Sequence, residues 1–286
     1  MTQLPSQLPI RRWLLAVWIS ILLLLCYFSV LHKLVLYWAT DPDMGHGFLV
    51  PLVSGFIVWQ RRDILRATPR NPNLWGLVVV AFAGVLELVA TLGAELFTAR
   101  LAFIMSVAGI ILYLGGTNWL KALAFPCFLL LFMIPIPQIV YARLTLRLQI
   151  VASELAEWLI SLVGIPVIRT GNILELPHQT LNVVEACSGI RSLLSLSFLS
   201  LVYGYFTDKR TWMRWALLGV TIPIAIAANA IRVTLTGLLT QVDAMLAEGV
   251  YHQVEGYLVF VIALAALVAC HKLISTSALR ISARLS

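Results

Sequence analysis

The chain is 286 residues long, 60% hydrophobic and only 12% charged, with a mean hydropathy of +0.93. Soluble domains carry about twice that charged share and disordered chains are far less apolar, so a polytopic membrane protein is the class that remains. The net charge of +7 does not point to nucleic acid, because the basic residues fall mostly in short loops between apolar runs, as with Arg61, Arg62, Arg66 and Arg70.

A bilayer core takes about 20 apolar residues per helix. In chain order, such runs fall at 13–31, 44–60, 74–92, 101–119, 122–141, 187–206, 215–236 and 252–270. The expected fold is therefore all-α, a single transmembrane domain over 1–286 with about eight spans. The first run lacks a small-x-small cleavage site and is read as a retained span. The second opens on Gly45, His46 and Gly47, and the fifth holds Pro126, Pro135 and Pro137, which predicts a broken outer end.

Arg11, Arg12, Lys121, Lys209, Arg210, Arg214, Arg280 and Arg284 join the 61–70 loop on one side of this layout, while Asp41, Asp43, Glu95, Asp243 and Glu248 lie on the other. Both termini are thus expected in the cytoplasm. Lys33 and Arg100 are single exceptions, and Arg143 and Arg147 are a larger one. The latter two belong to 142–163, where Glu154 and Glu157 also recur at helical spacing, which suits an interfacial helix on the outer face, with a ninth span as the alternative. The following stretch, 164–186, is rich in turn and β-branched residues and reads as a short extended segment or hairpin.

Against this apolar background a few polar residues stand out at one depth. Cys187 opens the sixth run within Glu185, Ala186, Cys187, Ser188, Gly189, Ile190 and Arg191. A thiol on the first turn of a helix is favoured as thiolate by the orphan amides there, and Arg191 is one turn on. Asn229 and Arg232 share a face of the seventh run, and His252 and Glu255 open the eighth. An ionisable residue inside a span is costly and points to function. Cysteine, histidine and arginine are together the components of thiol acyl transfer: nucleophile, proton carrier and oxyanion or carboxylate clamp. His46 is a further candidate for substrate binding. The other cysteines, Cys26, Cys127 and Cys270, lie inside apolar runs and form no CxxC pair. A metal site from His46, His178 and His252 has no supporting motif, so neither metal nor cofactor is expected.

These residues resemble the exosortase/archaeosortase family, polytopic membrane enzymes of cysteine transpeptidase type. The resemblance rests on the run from Asn182 to Arg191, on Ala228, Asn229, Ala230, Ile231 and Arg232, on His252 with Glu255 and Gly256, and on His46 to Pro51. It implies Cys187 as nucleophile, His252 as acid and base, and Arg232 as the arginine of the site, with Glu185, Ser188, Arg191, Asn229, Glu255 and His46 in support. It also implies the partners: secreted proteins with a C-terminal tail made of a Pro-Glu-Pro-like motif, a membrane helix and a basic end, cut on the periplasmic side of the inner membrane and passed to an unnamed acceptor. Membrane lipid is the solvent, and no nucleic acid is involved. Some relatives add a C-terminal domain, which a chain ending shortly after its eighth run is expected to lack. The rival readings are a transporter or a non-catalytic component of exopolysaccharide export.

Overall fold

The computed structural model describes residues 9–177, 179–183, 189–242 and 249–285; the side chains of 9–13, 15, 16, 242, 249–253 and 279–285 lie outside that description. The chain forms two compact units, Met1–Pro135 and Ile136–Ser286.

The first unit begins with α1 (Pro9–Cys26) and α2 (Phe28–Thr40), which bend by 71° around Tyr27. Tyr27 is buried at the bend, its hydroxyl 2.9 Å from Ser106 Oγ and its ring edge-on to Phe103. Burying a tyrosine requires such a partner for its hydroxyl, and here the partner lies on a distant helix. Val30, Leu34 and Trp38 form the buried stripe of α2, at the four-residue spacing of one helix face. The Trp38 indole donates to the Met133 carbonyl at 2.9 Å and packs over Gly47, where a Cβ would lie 2.5 Å from the ring.

A 3-10 segment, Pro42–Phe48, follows, started by Asp41 accepting from the Asp43 amide. Then come α3 (Leu49–Gln60), α4 (Arg62–Ala67), α5 (Trp75–Leu92) and α6 (Leu96–Leu129). Glu95 caps α6 by accepting from the amides of Phe97 and Thr98. The helices α5 and α6 approach backbone to backbone, with Gly76 against Gly109 and Tyr113, a small-residue contact of the kind that packs membrane helices. Gly116 interrupts α6 at φ +81° and ψ −173°, and the Asn71 carbonyl packs where its side chain would be. Only glycine accepts both demands. A 3-10 turn, Leu130–Met133, and Pro135 end the unit.

In the second unit α7 (Gln138–Leu162) turns Gln149, Ala152, Ser153, Ala156 and Ile160 inward and leaves Arg143, Arg147 and Glu154 exposed. Three short strands follow, β1 (Ile168–Thr170), β2 (Ile173–Glu175) and β3 (Thr180–Asn182). They form an antiparallel meander with Arg169 opposite Leu174 and Leu174 opposite Leu181. Gly171 takes φ +68° in the β1–β2 turn. Within the stretch 164–186, read from sequence as a short extended segment or hairpin, Ile168–Thr170, Ile173–Glu175 and Thr180–Asn182 form a three-stranded sheet. Leu174 and Leu181 point to one face and pack with Ala156, Ile160 and Val233. Arg169 Nε bonds Glu157 Oε2 at 2.8 Å, tying the sheet's edge to α7.

The rest is α8 (Ile190–Thr207), α9 (Thr211–Val242) and α10 (Gly249–Leu285). Their shared core is Leu196, Met213, Leu217, Ala228, Val259, Ala263 and Leu267. The α8–α9 turn is closed by Asp208, which accepts from the amide and guanidinium of Arg210. Arg210 also donates to Ser275 at 2.8 Å, and His271 on α10 lies 3.5 Å from Asp208 and 3.0 Å from the Tyr203 hydroxyl. The Arg210 guanidinium holds the Asp208 carboxyl well below the usual carboxylate range.

Among the described residues five helices are long and apolar enough to cross a membrane, Trp75–Leu92, Leu96–Met133, Ile190–Thr207, Thr211–Gln241 and Val254–Ala278, and the bent α1–α2 pair makes a sixth if counted as one span. This differs from the expectation of about eight for two reasons. The runs 101–119 and 122–141 fall largely within Leu96–Met133, which counts as one span although its backbone is non-helical at Gly116. The run 44–60 opens as 3-10 turns and contains an α-helix of 12 residues, about 18 Å long and too short to cross alone.

Candidate active site

The middle of α9 presents Asn229, Arg232 and Thr236 on one face, at offsets of three and four residues. Each meets a different neighbour. Thr236 is buried, and its hydroxyl lies 3.0 and 3.1 Å from the carboxylate oxygens of Glu255, itself buried on α10. This hydrogen bond ties α9 to α10 and helps to solvate a carboxylate that is only 7% exposed.

One residue further along α10 is Gly256. A Cβ there would stand 3.1 Å from both Cζ and Nη2 of Arg232, so the guanidinium rests on the bare helix backbone. His252 is four residues before Gly256, on the first turn of α10, and helical spacing puts the two positions on one face; the His252 side chain lies outside the described residues.

Asn229 meets the start of α8. It is 7% exposed, and its Nδ2 is 2.8 Å from where a Cβ of Gly189 would be. Gly189 is in the left-handed region at φ +65°, and its carbonyl accepts from the Leu193 amide at 3.0 Å in the first turn of α8. Gly189 therefore serves two purposes, a backbone conformation open to glycine and a close approach by an amide. On the other flank, Val183 is fully buried in the cluster that contains Val233, and its amide donates to the Asn172 carbonyl at 3.1 Å. Both described flanks of the 184–188 stretch thus pack against α9, one at Val233 and the other at Asn229. Cys187, Glu185 and Ser188 fall inside that stretch and outside the described residues, as does His178.

A small cavity of about 10 Å³ lies between α8, α9 and α10, bordered by Ser192, Asn229, Arg232 and Gly256 among apolar side chains. Space of that order holds about one water-sized atom. Of the supporting residues expected from sequence, Asn229 and Glu255 join this cluster. Arg191 is exposed on the first turn of α8. His46 lies in the first unit, in the 3-10 segment, and is half-buried. Thr236 and Ser192 were not anticipated. The signal for Thr236 was present, since it lies one turn beyond Arg232 on the same face. Ser192 became visible only when α8 was set against α9. Among the described residues no three His, Cys, Asp or Glu side chains converge as a metal-binding group.

No curated protein and no solved structure matches the chain. Residues 38–269 match a family model described as Transmembrane exosortase (Exosortase_EpsH). That interval takes in α3 to α9, the Asn229–Arg232 face and the start of α10, and it covers well over half the sequence. With its long apolar helices, the chain is a multi-pass membrane protein that belongs to the transmembrane exosortase family.

Proposed function

We propose that the protein is a membrane-embedded cysteine endopeptidase or transpeptidase. It cleaves secreted proteins that carry a C-terminal tail of Pro-Glu-Pro-like motif, membrane helix and basic end, and it passes the product to an acceptor. The observation that carries this reading is the convergence of Asn229 and Arg232 on α9 with Gly189, two residues after Cys187, and with Gly256, four residues after His252. Two residues of chain span at most about 7 Å, which bounds the distance along the chain from Gly189 to the proposed nucleophile.

In the proposed reaction the Cys187 thiol gives its proton to His252, and the thiolate sulfur attacks the peptide carbonyl carbon. The carbon–oxygen π pair moves onto oxygen, where Arg232 stabilises the developing charge. The oxyanion collapses, the carbon–nitrogen bond breaks, and His252 returns the proton to the leaving amine. Water or an acceptor amine or hydroxyl then attacks the thioester, loses its proton through His252 and releases the sulfur. Glu255, held by Thr236, belongs to the support of this arrangement, together with Glu185, Ser188 and Arg191.

The site is proposed to face the periplasm, from a chain in the inner membrane with both termini cytoplasmic. The proposed count of about eight crossings has the two helical parts of α6 on either side of Gly116 crossing separately, and the 3-10 segment and α3 crossing together. Support for the sidedness comes from α9. The basic turn at Lys209 and Arg210 precedes it, and Arg232 is 21 residues beyond Thr211, a rise of about 30 Å, the thickness of a bilayer core.

The decisive variant is Cys187→Ala. Expressed with a secreted reporter bearing such a tail, it is expected to accumulate in the membrane at the wild-type level and to leave the reporter uncut on an immunoblot. A reporter that is cut as before rules out Cys187 as nucleophile. His252→Ala is expected to slow cutting by about 10²- to 10⁴-fold, the usual contribution of a positioned acid–base group.

A further inference from the structure

The small cavity between α8, α9 and α10 has a lining of one chemical sense. Its polar members are the Asn229 amide, the Arg232 guanidinium and the Ser192 hydroxyl, and the remainder are Gly256 and apolar residues such as Ala228 and Phe260. Among the described residues no carboxylate borders it, and Glu255, next in sequence to Gly256, hydrogen-bonds Thr236. The amide, guanidinium and hydroxyl of this described lining suit an oxygen acceptor. The volume, about 10 Å³, admits a single oxygen-sized atom.

Asn229 keeps a side-chain donor unused. It is 7% exposed, and its Nδ2 has no hydrogen-bond partner among the described residues. Buried amide donors are nearly always paired. This one is held against the bare Cα of Gly189, whose left-handed backbone starts α8. The amide is thus fixed relative to the chain two residues from Cys187, in apolar surroundings where a hydrogen bond to a charged oxygen is strong.

We propose that Asn229 is a catalytic residue, the neutral donor of a two-donor oxyanion hole whose charged donor is Arg232, and that the cavity receives the oxygen of the scissile carbonyl as the Cys187–carbon bond forms. The proposal rests on the acyl-transfer reading above. It assigns to Asn229 an interaction that grows as the carbonyl π pair moves to oxygen. Loss of such a donor lowers kcat and leaves substrate affinity nearly unchanged.

The test uses the full-length protein in membranes and a tail reporter of Pro-Glu-Pro, apolar helix and basic end. Asn229→Ala and Asn229→Asp are compared with wild type for kcat and KM. The iodoacetamide reaction of Cys187, read at its own peptide by mass spectrometry, is followed across pH. Both variants are expected to lose about 10²- to 10³-fold in kcat, with KM within about threefold and the alkylation profile of Cys187 unmoved. If Asn229→Ala does not accumulate, Asn229→Asp, which keeps the shape, supplies the comparison. A kcat within threefold of wild type overturns the proposal, and so does a parallel loss of turnover and Cys187 alkylation, which marks a structural residue. Cys187→Ala separates the two readings. Cutting that survives it removes acyl transfer and this proposal together, whereas cutting lost there but kept in Asn229→Ala removes this proposal alone.

Discussion

Two glycines shape the surroundings of the candidate site by admitting polar groups against bare backbone. Gly189 lets an amide lie on the first turn of α8, and Gly256 lets a guanidinium lie on α10. A methyl group at either position occupies space that a polar head group now fills. Gly256→Ala puts a Cβ 3.1 Å from Arg232 Cζ, and the long arginine stem can shift by a few tenths of an ångström to relieve it. Stability is therefore expected to change little while reporter cutting falls by about tenfold or more, since small displacements of catalytic groups are expensive. Quantifying membrane-resident protein and cut reporter in the same cells checks this; cutting at the wild-type rate would mean that the guanidinium position is not critical.

At the scale of elements, α8, α9 and α10 are fastened at both ends by different chemistry. Near the candidate site the fastening is Thr236 to Glu255 and Asn229 to Gly189. At the other end it is Asp208 with Arg210, and Arg210 with Ser275. Asp208→Asn should lower the unfolding midpoint in detergent at pH 7 by a few degrees. The sign with pH follows from the carboxyl being held below its usual range by Arg210. Its stabilisation is full above the unfolded-state value of about 3.9 and is lost as the pH falls through the folded-state value. The difference between variant and wild type is accordingly expected to persist from neutral pH down to about 4 and to shrink below it. Thermal melts of both proteins at several pH values measure this. A difference independent of pH would assign the effect to packing and not to the charge.

Over the whole molecule, the distribution of charge and the length of the helices carry the topology. The basic turn at Lys209 and Arg210 and the Asn229–Arg232 face lie toward opposite ends of one helix. A membrane-impermeant maleimide applied to intact spheroplasts is expected to label Cys187 directly, and to label Lys209→Cys only after permeabilisation. The reverse pattern would invert the chain and put the proposed chemistry on the wrong side for a secreted substrate.

Composition alone placed the protein in a membrane, because an apolar excess of this size is a property of the residues and not of their arrangement. The polar residues of the candidate site were also legible, since few charges remain once the basic loops are set aside, and Asn229 and Arg232 share a helix face by spacing alone. Crossings were less legible. Hydropathy reports apolar length but not direction, so the break at Gly116, which depends on the Asn71 carbonyl packed against it, could not be separated from a loop between two spans. Likewise the 164–186 stretch read as extended, but its third strand follows from Leu174 and Leu181 packing with α7 and Val233. Only the tertiary structure decided that Asn229 is pressed to Gly189, Arg232 to Gly256 and Thr236 to Glu255. Those pairs are distant in sequence, and they meet because α8, α9 and α10 share one apolar core whose packing sets their register.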